Sequence, residues 1–192
     1  MIKVVSGVIL AGDVCGTERA DERAFLVVEG QSLLHRQIKE MKSLCAEVTI
    51  VTNHPQPFLR HVDRDIRIIS DYYAGQGILS GMHAGLALAR YPDVWMLGCH
   101  MPHPSAAAAS LLLLWRREGY DAVIPLIGGR IYPLHGIYDR ALSEPIGAML
   151  EEGHTDVEYL LQQIHWLKLK EPTFRSNRID SRFVRTVPVR EL

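Results

Sequence analysis

Through the first two-thirds of the chain, short apolar runs alternate with longer segments whose apolar residues recur every three or four positions. The runs Val4 to Leu10, Val48 to Val51, Ile66 to Ile69, Val94 to Gly98 and Ala122 to Pro125 are brief and rich in β-branched residues. Such runs predict strands buried on both faces, as in a parallel sheet. Between them, Leu33, Leu34, Ile38, Met41 and Leu44 fall on one helical face behind Ser32, which suits an N-cap. Leu79, Met82, Leu86 and Ala89 repeat the pattern after Gly75 and Gly77, and Ser105 to Glu118 predicts a helix ended by Gly119. This rhythm predicts right-handed βαβ units, a mostly parallel central sheet and helices on both faces. Ligands in such folds sit beyond the carboxyl ends of the strands. That directs attention to residues 11–24, 52–57, 70–78 and 98–104.

The last third is less regular. Gly128-Gly129 predicts a turn, in a hairpin or a longer excursion. Glu144 to Glu152 and Asp156 to Ile164 predict two short helices separated by Gly153, and the segment after Pro172 is polar. With no repeat, low-complexity segment or linker, one domain over residues 1–192 is expected.

Composition narrows the class. Of 192 residues, 47% are hydrophobic and 22% charged, the balance of a globular protein, and the net charge of −1 points to neither nucleic acid nor an anionic membrane. Cys15, Cys45 and Cys99 form no C-x-x-C pair and are too few for a disulfide framework, so a reducing compartment is expected. No amino-terminal stretch has the shape of a signal peptide, and the most apolar run, Ala106 to Trp115, is too short to span a bilayer. A cytoplasmic protein is expected.

Candidate chemistry begins at "GVILAG", residues 7–12, an apolar strand running into Ala11-Gly12 as it would before a phosphate-cradling loop. Five further stretches follow in register: "ERAFLVVEGQSLLHRQI", "VTIVTN", "IISDYYAGQGILSGMHAGLALA", "VWMLGCHMP" and "GGRIYPLHGIYDR". In this combination the chain resembles the molybdenum cofactor guanylyltransferases, which share a Rossmann-like nucleotidyltransferase fold. The resemblance implies GTP and a molybdopterin-type small molecule as substrates, Mg²⁺ as cofactor, and proteins of cofactor biosynthesis as partners. It implies that the molybdopterin phosphate attacks the α-phosphate of GTP and pyrophosphate leaves.

Residue by residue, it assigns Leu10, Ala11 and Gly12 to backbone contact with the nucleotide, and Asn53 and Asp71 to the nucleotide side. Arg23 stands at the position of the phosphate-binding lysine, and Asp71 and Arg23 are the catalytic candidates. Gly75, Gly77, Leu79 and Gly81 match the loop and helix after Asp71. Arg130, Pro133 and Leu134 match a segment near the second substrate.

The chain also departs from the pattern. Asp13 replaces the second glycine of L-A-G-G, Thr17 and Glu18 replace R-M, and Arg185 and Val187 stand where N-x-N-T-P has asparagines. His100 occupies the position of the Mg²⁺ aspartate in C-D-M-P. Its alternatives are lost metal binding, a direct histidine–phosphate contact, or a softer metal shared with Cys99 and His103. Residues 13–23 carry four acidic side chains against two basic ones. A carboxylate about 4 Å from a phosphate costs roughly 1–4 kcal/mol. Two other readings therefore stand beside guanylyl transfer: a homologue that binds nucleotide, pterin or protein without transfer, and a cytidylyltransferase acting on molybdopterin or another small phosphate.

Overall fold

A computed structural model describes residues 4–11 and 20–187. The chain opens with β1 (Val5–Leu10), then a 3₁₀ turn over Ala20–Phe25 and a small antiparallel ribbon of β2 (Val27–Val28) and β3 (Gln31–Ser32). Alternation follows: α1 (Leu33–Leu44), β4 (Glu47–Val51), α2 (Gln56–Leu59), β5 (Arg67–Ile69), α3 (Gly77–Ala87), β6 (Asp93–Gly98), α4 (Ala106–Arg116) and β7 (Ala122–Ile127). The carboxyl-terminal third supplies β8 (Arg130–Ile131), β9 (Ile137–Asp139), α5 (Ser143–Glu151), α6 (Val157–Gln163), β10 (Trp166–Lys170) and α7 (Glu171–Ser176). The strands lie in the order β10-β7-β9-β6-β1-β4-β5, with β8 hanging from β7. Every pair along this path is parallel except those made by β9, which runs antiparallel between β6 and β7.

Strand β1 is buried on both sides, and its neighbours show why. A Cβ on Gly7 would meet Met41 of α1 and Cys45, which follows that helix, whereas Val8 and Leu10 face Gly85 and Gly81 of α3. Alternate residues of one strand thus serve opposite faces. At Gly85 the approach is closest: a Cβ would lie 2.6 Å from Val8 Cγ1. Helices α1 and α4 pack together on one face, and α3 and α5 on the other.

The cap predicted at Ser32 forms, and Ser105 caps α4 in the same way. Ser32 Oγ accepts from the His35 amide, and Ser105 Oγ accepts from the Ala108 amide at 3.1 Å. Glu40 Oε1 accepts from the Ala106 amide at 2.7 Å, placing a carboxylate at the positive end of α4. Gly128 and Gly129, at φ 56° and 79°, form the two-residue turn joining β7 to β8.

Besides the short ribbon of β2 and β3, strands β9 and β10 of the central sheet lay outside the sequence reading. The three residues of β9 are too few to show a period, yet Tyr138 within it is fully buried, its phenol donating to the Pro133 carbonyl at 2.8 Å. Strand β10 extends the sheet parallel to β7. The segment after Pro172, read as a polar tail, instead sends Phe174, Phe183 and Val184 into the core.

Candidate functional site

Strands β1, β4, β5 and β6 end along one edge of the sheet, and lateral hydrogen bonding continues one residue past their ends. Ala11 N donates to Val51 O, Thr52 N to Ile69 O and Cys99 N to Leu10 O, at 2.9, 2.9 and 3.0 Å. Leu10, Ala11, Asn53, Asp71 and His100 therefore rise from a fixed floor. Three inter-strand steps of about 4.8 Å, roughly 14 Å in all, separate the ends of β6 and β5. Gly12, Asp13, Thr17 and Glu18 lie outside the described residues.

At the β5 end, acceptors outnumber donors. Ser80 Oγ lies 2.8 Å from Asp71 Oδ2 and 2.9 Å from the Tyr73 carbonyl, with one proton for the two. The Asp71 amide donates a long 3.4 Å bond to Asn53 Oδ1, joining the two residues that the resemblance placed together. Asp71 Oδ1 is buried without a hydrogen-bond partner, and so is Gln76 Oε1 at the start of α3. Buried acceptors in this state are costly until a donor reaches them. This end of the site is shaped for a ligand rich in N–H or O–H groups.

At the β6 end, the loop carrying His100 is held from three sides. Gln37, fully buried on α1, donates from Nε2 to the Gly98 carbonyl at 3.0 Å and to the Met101 carbonyl at 2.9 Å. The Val187 amide donates to the His100 carbonyl at 2.9 Å, so the carboxyl-terminal arm crosses this loop. The imidazole itself folds back on Gly98, where a Cβ would lie 2.5 Å from its Cε1 and 2.9 Å from its Nδ1. Only glycine at position 98 leaves that seat open. Burial, and secondarily the charge of Arg23, push the His100 pKa down to about 4. The imidazole is neutral near pH 7. Arg23, on the Ala20–Phe25 turn, is itself buried.

The second-substrate candidates divide. Pro133 begins a 3₁₀ turn to His135, and Leu134 Cδ1 would lie 3.0 Å from a Cβ on Gly98, so this turn abuts the His100 loop. Arg130 is exposed on β8. His135 is fully buried between Trp95 and Phe183, and its Nε2 accepts from the Ser105 amide at 3.2 Å. Gln37 and His135 were absent from the candidate residues. Gln37 could have been found: it lies on the same helical face as Leu33, Leu34, Ile38 and Met41, where a polar side chain needs buried partners. No comparable signal marks His135.

Residues 7–166 match the MobA-like NTP transferase domain. The chain belongs to that family. Among its relatives, the molybdenum cofactor guanylyltransferase of Desulfosudis oleivorans is 25% identical over 172 residues, covering 90% of this chain and 84% of the relative. A Pelotomaculum thermopropionicum protein, bearing the name "Probable molybdenum cofactor guanylyltransferase", is 33% identical over 149 residues, covering 74% and 69%. The crystal structure of molybdopterin-guanine dinucleotide biosynthesis protein A from Archaeoglobus fulgidus superposes with a TM-score of 0.71 at 18% identity, covering 90% of this chain and 86% of that one. The Rossmann-like nucleotidyltransferase fold expected from the resemblance is the fold of this MobA-like chain. None of its described helices is long and apolar enough to cross a membrane.

The Mg²⁺ that the resemblance implies does not suit the β6 end. Magnesium takes oxygen ligands. Position 100 offers an imidazole with its Nδ1 edge against Gly98, in the field of the Arg23 cation. Among the described residues no group of three His, Cys, Asp or Glu side chains is placed to hold a metal ion. The softer-metal alternative with Cys99 and His103 finds no support either, since Cys99 is a buried core residue.

Proposed function

We propose that this MobA-like protein binds GTP across the carboxyl ends of β1, β4, β5 and β6 and transfers its GMP group to the phosphate of a molybdopterin-type cofactor. A phosphate oxygen of the acceptor attacks the α-phosphorus, the bond from that phosphorus to the β-phosphate bridging oxygen breaks, and pyrophosphate leaves. The protein contributes in-line positioning and charge rather than covalent chemistry. In this reading the amides near Ala11 and Gly12 face the nucleotide, Asn53 and Asp71 hold its nucleoside end, and Arg23 offsets phosphate charge. Arg130 and Pro133 flank the second substrate. No step runs through a metal held by residue 100.

One observation carries the nucleoside end: the buried, unpartnered Asp71 Oδ1 beside a hydroxyl shared by two acceptors. Guanine presents N1–H and N2–H₂ as adjacent donors, which adenine does not. Incubation of the protein with GTP and molybdopterin is expected to release pyrophosphate and form the dinucleotide. Asp71→Asn, which exchanges an acceptor for a donor, is expected to weaken GTP binding about tenfold or more while leaving ATP binding unchanged. Equal loss for both nucleotides would remove Asp71 from base recognition.

A second reading, nucleotide binding without transfer, starts from the imidazole at position 100 but is not favoured by the relatives, which carry the guanylyltransferase name. Tight GTP binding with no pyrophosphate released would select it.

A further inference from the structure

The phosphate end of the site departs from a carboxylate-and-metal arrangement in a way that has its own logic. An aspartate at position 100 would add a negative charge beside a polyphosphate, a repulsion that a divalent cation would have to offset. His100 adds none. Its ring is seated on Gly98, with a Cβ-to-Cε1 approach of 2.5 Å that no other residue at 98 would permit. Its loop is pinned by Gln37 to two carbonyls and by the Val187 amide to a third. Nε2 lies further from a Cβ on Gly98 than Nδ1 and Cε1 do, so it is the ring nitrogen turned away from Gly98. The Arg23 guanidinium is close enough for its charge to act on that ring. A neutral imidazole N–H at the end of β6 and the Arg23 cation of the neighbouring 3₁₀ turn have the chemistry to hold a phosphate without a metal ligand.

We propose that this site binds the phosphate chain of its nucleotide directly through His100 and Arg23, independently of a divalent cation. The proposal rests on the nucleotide-binding reading above and adds to it how the phosphates are held.

The test is GTP affinity by calorimetry in EDTA and in excess MgCl₂, for the wild type, His100→Asp and His100→Asn. For the wild type the two dissociation constants are expected to agree within about threefold. His100→Asp is expected to bind about tenfold or more weakly in EDTA and to recover with Mg²⁺. His100→Asn, which keeps a neutral donor, is expected to stay metal-independent, and it carries the comparison if the aspartate variant does not fold. A tenfold loss of wild-type affinity on chelation would overturn the proposal while leaving nucleotide binding intact. So would a folded His100→Asp that behaves as wild type in both buffers. Absence of GTP binding in either buffer would defeat the nucleotide reading, and this proposal with it.

Discussion

His135 links the pH of the solution to the stability of the fold. Its imidazole is fully buried, with aromatic rings on two sides and the Ser105 amide donating to Nε2. Burial depresses its pKa from 6.5 to about 4. Below pH 6.5 the unfolded chain takes up a proton at this position while the native chain does not, until pH falls to about 4. Stability from the neutral imidazole is therefore whole above pH 6.5 and is lost as pH falls. With a pKa of about 4 in the native chain, the loss is roughly 1 kcal/mol by about pH 5.5 and roughly 3 kcal/mol in full. Urea unfolding of the wild type and of His135→Gln, measured at intervals from about pH 7.5 to 4.5, isolates this contribution. Glutamine keeps an acceptor for the Ser105 amide but does not titrate. Its lost ring packing lowers stability by a constant amount, and the slope carries the information. The difference between the two proteins is expected to shrink by about 2–3 kcal/mol over the range. The buried, depressed His100 contributes in the same direction to both proteins, so it cancels. Parallel curves would refute the assignment of a neutral His135 to the native state.

Other outcomes follow from packing and hydrogen bonding. Gly85→Ala drives a methyl to 2.6 Å from the β-branched Val8 on a central strand, and urea titration is expected to show a loss of about 1–3 kcal/mol. Gln37→Glu sets a carboxylate against the two carbonyls that Gln37 now donates to, so it is expected to melt several degrees lower at neutral pH. Protonation of that glutamate restores a donor, so the deficit should narrow towards pH 4; a pH-independent deficit would count against the contact. Glu47 is buried beneath Arg67 and Arg90 and also accepts from the Ser6 hydroxyl and the Arg90 amide. Glu47→Ala leaves these donors without their acceptor, and a loss of about 2–4 kcal/mol is expected in chemical denaturation.

Much of the site's frame was legible from residue pattern. Strand ends and the first cap were readable because they obey local rules: apolar runs bury on both faces, Ser32 satisfies an orphan amide, and Gly128-Gly129 adopts left-handed torsions. Asn53 and Asp71 were readable as neighbours because each follows a strand of a shared sheet edge. The direction of the His100 ring was not, because it depends on Gly98, Leu134 and an arm that returns from residue 187. Gln37 stood in plain view on an apolar stripe, but its partners lie sixty residues away on another element.

By itself, the sequence determined the alternation of strands and helices, the sheet edge along which the candidate residues gather, and the residues that end each strand. These are consequences of local periodicity and turn chemistry, with a resemblance spread across the whole chain. Tertiary structure alone decided the antiparallel insertion of β9, the burial of the carboxyl-terminal arm, and the two ends of the site. Those features arise from pairings distant in sequence, where the satisfaction of buried polar groups and the space left by single glycines are set by neighbours that no local pattern contains.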